Sequence, residues 1–561
     1  MLQEESADLI VHYLYNPSIL ENYKDFIINK INPFFAEVHV PLSRFNMKTV
    51  STFGYSVLPK LYGLTSEVSL DASGVSELRQ VPRLNFRGAG TLIGIIDTGI
   101  DYTNPVFLKA DGTTKIAAIW DQTIISDQHP YHSAFGTEYR SEQINQALAS
   151  ENPLEIVPSL DENGHGTMMA AIAAGNELPA ENFSGVAPDC ELIIVKLRQA
   201  KPYLREFYVV PENIDCYQEN HIMWGIQYCL LLSRELVRPL ILCFGIGTSQ
   251  GSHDGRSALS RLLNIIADYP GIAVITSVGN EGNRGRHYQG SIDPAIGYHS
   301  VELTVGEGEI GFSMELWGDS PGIYSIDILS PNGEYITRIA PSLRVSREIS
   351  FTFERTIINL DYLLSESGTG DQLILLRFRN VTSGIWTFHV YGQGDLPLSF
   401  HIWLPMGNMI TDGTHFVQPT INMTVLAPST AELPIAITAY NPVNKNLFVG
   451  ASRGYTRSRS IKPELAAPGV NYIAPNNRKE FVSYTGTSPA AAHTAGIAAI
   501  ILEWSIVKGN QPRMDTLELK NYLIRGAVRN PILTYPNRDW GYGILDVFNS
   551  FNALRIDYGT I

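Results

Sequence analysis

The chain has 561 residues, of which 44% are hydrophobic and 17% charged. This is enough apolar material for a large core and too much length for one unit of roughly 100–200 residues, so disordered and collagen-like classes are excluded. Lysine and arginine total 41 against 56 aspartates and glutamates, a net charge of −15 that repels a phosphate backbone and excludes nucleic acid and an anionic membrane as expected partners.

Four cysteines occur, Cys190, Cys216, Cys229 and Cys243, with no Cys-x-x-Cys pair; they read as reduced, structural residues. The run Met1 to Asp8 is acidic and has neither the basic nor the apolar segment of a secretory signal. Sec-type export is therefore not expected, and synthesis in the cytoplasm is. Arg238, His493 and nearby glycines interrupt the best apolar stretches, so no membrane span of roughly 18 residues is expected.

In chain order, residues 1–67 combine apolar runs at 8–14 and 36–40 with a helical pattern at 21–31, which predicts a small α+β unit. From Gly88 onward strand patterns at 92–96, 191–195, 239–244 and 272–276 alternate with helical ones at 167–174, 221–236 and 257–267. That alternation predicts an α/β body, a doubly wound parallel sheet covered on both faces, whose ligand site lies beyond the carboxyl ends of its strands. Between about 300 and 410 eight short apolar runs follow one another without helices, separated by turns such as Pro331-Asn332-Gly333; they predict an all-β jelly-roll module. Helical patterns return at 488–506 and 514–526, so the β module is an insertion that divides the body into residues 68–299 and 411–561.

Three segments carry candidate chemistry. In Ile95-Ile96-Asp97-Thr98-Gly99-Ile100-Asp101 a buried strand ends in a carboxylate; alone, such an aspartate is a common turn former. In Asp161-Glu162-Asn163-Gly164-His165-Gly166-Thr167 glycines flank a histidine at a helix start, where a base can face a cleft, although a lone histidine is more often structural. Tyr484-Thr485-Gly486-Thr487-Ser488-Pro489-Ala490 opens an apolar helix. Serine at the N-cap followed by proline is also an ordinary helix start, but the small residues after it would leave room for a substrate carbonyl at the helix N-terminus. A zinc site is not supported, because no His-Glu-x-x-His occurs and His129 and His132 have no evident third ligand.

The order Asp, His, Ser is that of subtilisin, and the chain resembles the subtilisin-like serine proteases, the S8 subtilases. Val278-Gly279-Asn280-Glu281-Gly282, Gly185-Val186-Ala187-Pro188 and Ala467-Pro468-Gly469-Val470 add to the match. The resemblance implies Ser488 as nucleophile, His165 as general base and then acid, and Asp97 as the group orienting the imidazole. It implies an oxyanion hole from the Asn280 side chain and the Ser488 backbone N–H. Proline at 489 stands where the family usually has methionine, and His493, five residues along the helix, should point away from Ser488. The run Cys243, Phe244, Gly245, Ile246, Gly247 matches the strand that pairs with an extended peptide substrate. Cysteine replaces the usual serine at its start.

The same resemblance makes residues 1–67 a prodomain that assists folding and places its tail in the cleft. Self-cleavage is then expected among Gly63, Leu64, Thr65, Ser66, Glu67, Val68, Ser69 and Leu70. No cofactor is required for the chemistry; calcium commonly stabilises the family, but no decisive Asp-rich loop identifies a metal site here. The inserted module and Ser252-His253-Asp254-Gly255 are similar to the clostridial germination-specific (Csp-type) subtilases, which implies a spore-associated protease that activates a cortex hydrolase zymogen. A protein or peptide substrate is the expected partner. Two other readings stay open: a silent pseudoprotease that binds a regulatory partner, and an esterase-like or binding protein on the same fold.

Overall fold

Strands with no polar face need cover on both sides, and Leu92–Asp97, Leu240–Phe244 and Ile272–Ser277 are buried at every position. The computed structural model describes residues 5–67, 86–130 and 133–557. Its central eight-stranded sheet runs Leu465–Pro468, Ile435–Tyr440, Ile272–Ser277, Leu240–Phe244, Leu92–Asp97, Glu191–Lys196, Ile116–Asp121, Thr137–Arg140. Neighbours are parallel until the last pair, which is antiparallel. Alternate residues of one strand feed two cores. Ile93 and Ile95 meet the helices His165–Ala174 and Thr487–Leu502, while Leu92 and Ile96 meet Glu219–Glu235 and Ala258–Ala267.

The two helices of the first face are built from small residues because they pack closely. A Cβ on Gly496 would fall 2.7 Å from the Ala173 carbonyl oxygen and 2.5 Å from Val186 Cβ. Ala490, Ala491 and Ala492 are wholly buried in that core, so the small-residue run after Ser488 serves helix packing. The helical stretch Thr487–Val507 is apolar and long enough to cross a membrane, with mean hydropathy 1.5 in its best window, of which 83% is buried inside the protein. It is the central helix of the fold.

The N-terminal module is a three-stranded antiparallel sheet, Ser6–His12, Phe35–Pro41 and Ile27–Lys30, with the short helix Thr49–Phe53. The helix expected at 21–31 does not form. The 3-10 turn Pro17–Tyr23 ends early, and the β-branched pair Ile27 and Ile28 enters a strand that pairs with His39 and Val38, tertiary pairing overriding a helical pattern.

The β module consists of a six-stranded and a five-stranded antiparallel sheet enclosing one apolar core. It runs from His287–Ser291 to His415–Phe416, starting earlier and ending later than residues 300 and 410. Its outer side meets both other parts. Trp317, Leu375 and Trp403 share a core with Leu9, Val38 and Leu61 of the N-terminal module and Leu204 of the body. Glu315 accepts from Tyr55 Oη and from Gly251 N (2.9 Å), tying module, N-terminal unit and body at one carboxylate. Burial raises the pKa of that carboxyl. His253 of the Ser252-His253-Asp254-Gly255 stretch stacks on Trp403 with ring centroids 4.1 Å apart, so this motif is part of the module's seat on the body.

Candidate active site

Asp97 is the last residue of Leu92–Asp97, and His165 opens the helix His165–Ala174. Asp97 Oδ1 accepts from His165 Nδ1 at 2.7 Å and from Thr98 N at 2.8 Å. Both side chains are buried, which keeps the pair out of competing water. The glycines around them are required by close approach. A Cβ on Gly166 would overlap the Gly99 carbonyl oxygen, and one on Gly245 would lie 2.8 Å from His165 Cε1.

Asp161 is a residue that motif reading gave no role. Its Oδ1 accepts from Gly164 N (2.8 Å) and Thr98 Oγ1 (2.7 Å); its Oδ2 accepts from Thr167 N (2.8 Å) and Thr167 Oγ1 (2.7 Å). The carboxylate thus caps the helix that carries His165, where free N–H groups and the helix dipole favour an anion. It also fixes the Thr98 hydroxyl, which accepts from Gly166 N at 2.9 Å. The available signal was local: an aspartate three residues before a Gly-His helix start.

Ser488 lies in the first turn of Thr487–Leu502, whose N-cap is Gly486 and not the serine itself. Its N–H has no partner within the helix and donates to the Thr65 carbonyl oxygen at 3.3 Å. Asn280 Nδ2 donates to the same oxygen at 2.8 Å. The amide is oriented by Thr487, whose N and Oγ1 each lie 3.2 Å from Asn280 Oδ1. Thr65 O therefore occupies a two-donor pocket at the end of a central helix.

The chain around Thr65 is extended and held on both sides. Leu64 and Gly63 pair antiparallel with Ile246 and Gly247, Tyr62 and Leu61 pair with Tyr217 and Gln218, and Thr65 N donates to Gly245 O at 3.1 Å. Beyond Thr65, Ser66 and Glu67 pair with Gly486 and Thr485. Val68, Ser69 and Leu70 lie outside the described residues. Of the predicted peptide-binding run, Gly245, Ile246 and Gly247 meet this segment. Cys243 and Phe244 do not pair with it: they are interior to the central sheet, paired with Ile275 and Thr276. Strand Leu240–Phe244 ends before the cleft, and burial pushes the Cys243 thiol upward and away from reactivity.

Ser488 Oγ lies 2.6 Å from Thr65 Oγ1 and 3.1 Å from Gly245 O. His165 Nε2 is buried and, among the described residues, has no hydrogen-bond partner. Ser488 Oγ is not hydrogen-bonded to this nitrogen; a bond between nucleophile and base of this kind commonly forms only in the reacting complex. His493 faces elsewhere, with Nδ1 3.1 Å from Tyr472 Oη, and burial lowers its pKa to about 3.

Among the described residues, ligand atoms of Asp8, Glu37 and His39 come within 4.8 Å of one another. The Lys201 ammonium already lies 2.7 Å from Asp8 Oδ1, so the protein supplies the cation there. His129 is exposed, with Nδ1 3.4 Å from Pro130 O, and His132 lies outside the described residues.

Residues 88–302 and 407–543 match the model of the subtilase family, Peptidase_S8, and the interval between them falls in the β module. The chain is 25% identical over 521 residues to the subtilisin-like protease SBT1.9 of Arabidopsis thaliana, covering 80% of this chain and 63% of that protein. It is 21% identical to the minor extracellular protease Vpr of Bacillus subtilis, covering 84% and 52%. It thus spans less than two thirds of the length of these curated relatives. Among solved structures, the Clostridium perfringens CspB protease superposes with a TM-score of 0.76 at 29% identity, covering 86% of this chain and 96% of that one.

Proposed function

The chain belongs to the subtilase family, and from that premise we propose that it is a serine endopeptidase, made as a proenzyme that cuts itself between Thr65 and Ser66. The observation that carries this reading is the Thr65 carbonyl oxygen, held by Asn280 Nδ2 at 2.8 Å and Ser488 N at 3.3 Å. Those donors are aimed where an oxyanion would form.

Ser488 Oγ attacks the Thr65 carbonyl carbon while His165 Nε2 takes the hydroxyl proton. The tetrahedral oxyanion is stabilised by Asn280 and the Ser488 N–H. His165 then gives the proton to the Ser66 nitrogen, the Thr65–Ser66 bond breaks, and a Thr65 acyl ester on Ser488 remains for water to hydrolyse with His165 as base. Asp97 keeps the imidazole in the tautomer with hydrogen on Nδ1 and stabilises the imidazolium. Asp161 acts as a positioning residue through the helix it caps.

Residues 1–65 would act as prodomain and stay seated after the cut, since they share a core with both body and β module. Likeness to the CspB protease supports a spore-associated protease that activates a cortex hydrolase zymogen by limited proteolysis. The β module's contacts with both other parts support a clamp role.

The test is intact mass of the native chain beside its Ser488→Ala variant, with fluorophosphonate labelling. The native chain should separate into residues 1–65 and the remainder, and the variant should stay whole near 62.1 kDa. Processing of the variant refutes self-cleavage. Neither cutting nor labelling in the native chain would favour a pseudoprotease.

A further inference from the structure

The slot that receives the side chain before the cut is small and polar. Thr65 is 1% exposed, and its Oγ1 lies 2.7 Å from Ser277 Oγ and 2.8 Å from the Gly245 carbonyl oxygen. Gly245 O can only accept, so the Thr65 hydroxyl donates to it and accepts from Ser277; its oxygen also lies 2.6 Å from Ser488 Oγ. Ser277 is itself 1% exposed. Its own carbonyl oxygen accepts from Ser429 Oγ at 2.6 Å, so the strand end carrying it is braced from behind.

The two segments that flank the threonine, residues 245–247 and 277–279, converge on one side chain. Leu426, 1% exposed, lies between the two walls. A Cβ on Gly279 would fall 2.5 Å from Leu426 Cδ1, and one on Gly247 would fall 3.0 Å from the same atom. The leucine is tethered to both walls: Leu426 N donates to Val278 O at 3.0 Å, and Ala427 N donates to Thr248 O at 2.9 Å. A long side chain entering between these glycines would meet packed methyl groups, and an apolar one would leave the Ser277 hydroxyl buried without its partner.

We infer that Ser277 and Leu426 set the specificity of this enzyme, restricting the residue before the cut to a short hydroxyl side chain, threonine or serine. The inference rests on the reading of Thr65 as the residue before the cut. Neither residue touches the reacting bond; Ser277 recognises the hydroxyl and Leu426 sets the depth. A site that hydrogen-bonds a buried hydroxyl discriminates strongly against the isostere lacking it, because its own polar group is then orphaned.

The test uses the processed enzyme, counted by fluorophosphonate labelling, on hexapeptides with the sequence of residues 62–67 carrying threonine, valine or leucine at the fourth position. The native enzyme should cut the threonine peptide about 10–100-fold faster than the isosteric valine peptide and leave the leucine peptide intact. Ser277→Ala should bring the threonine-to-valine ratio within about threefold, and Leu426→Ala should raise leucine cleavage relative to threonine by about tenfold or more. In full-length chains, which need no free cleft, Thr65→Val should slow self-cleavage in the native background and not in Ser277→Ala. Valine cut as fast as threonine, or a ratio unmoved by Ser277→Ala, overturns the inference while labelling shows that the protease reading stands. A full-length chain that neither cuts itself nor labels refutes the protease reading itself.

Discussion

Replacing Lys201 by methionine should loosen the N-terminal module after processing. Lys201 Nζ lies 2.7 Å from Asp8 Oδ1 across the boundary between body and module, with both side chains almost fully buried. Burial alone would raise the Asp8 carboxyl, but the His39 hydrogen bond and the Lys201 charge outweigh it and hold it well below the usual carboxylate range. Methionine keeps the packing volume and removes the charge, leaving a buried carboxylate short of one partner. Breaking a buried pair in this way costs about 3–5 kcal/mol. Asp8 keeps His39 Nδ1 at 2.9 Å and Gln218 Nε2 at 2.7 Å, which places the loss near the lower end, about 3 kcal/mol, or ~100-fold in the dissociation constant. The assay is the dissociation rate of residues 1–65 from the processed remainder, followed by native mass spectrometry after dilution. Less than a threefold change, or strict additivity of Lys201→Met with Asp8→Asn, would refute the argument that this pair fastens the module.

Asn280→Ala should lower the turnover of the processed enzyme by about 10²–10³ with little change in KM, the loss recorded for the equivalent donor in subtilisin itself, measured by steady-state kinetics on a peptide substrate. Asp161→Ala should cost about tenfold or more in kcat and shift its pH profile, because His165 is less firmly placed; an unchanged profile would make Asp161 merely structural. Gly166→Ala, whose Cβ would meet the Gly99 carbonyl, should destabilise by about 1–3 kcal/mol and depress activity, read by thermal unfolding and active-site labelling. Burial alone would lower the His39 pKa, but the Asp8 hydrogen bond and the Glu37 charge prevail and hold it above 6.5. Its stabilisation is therefore fully present below the unfolded value and lost as pH rises through the folded one. Melting of the uncut Ser488→Ala chain should fall over that window, and His39→Gln should remove that part of the fall.

What the amino-acid order determined by itself was local. Asp97, His165, Asn280 and Ser488 each stand in a short segment whose glycines and flanking apolar runs already specify a strand end or helix start, and their chain order points to one chemistry. The alternation of buried strands and helices likewise announced the parallel sheet. Local patterns misled where distant partners decide. Residues 27–30 became a strand because Phe35–Pro41 was there to pair with. Cys243 stayed inside the sheet because its strand ends one residue before the cleft side begins.

Only the tertiary structure sets the Thr65 carbonyl, out of the window between Gly63 and Leu70, against the Asn280 and Ser488 donors. The register is set by Gly63 against Gly247 on one side and Ser66 against Gly486 on the other, pairings across more than 180 residues of chain that leave no periodic trace in either segment. Asp8 with Lys201, and Thr65 with Ser277 and Leu426, were invisible for the same reason. Each residue is unremarkable in its own neighbourhood, and its role comes from what the fold buries beside it, where a lone hydroxyl or charge must find a partner.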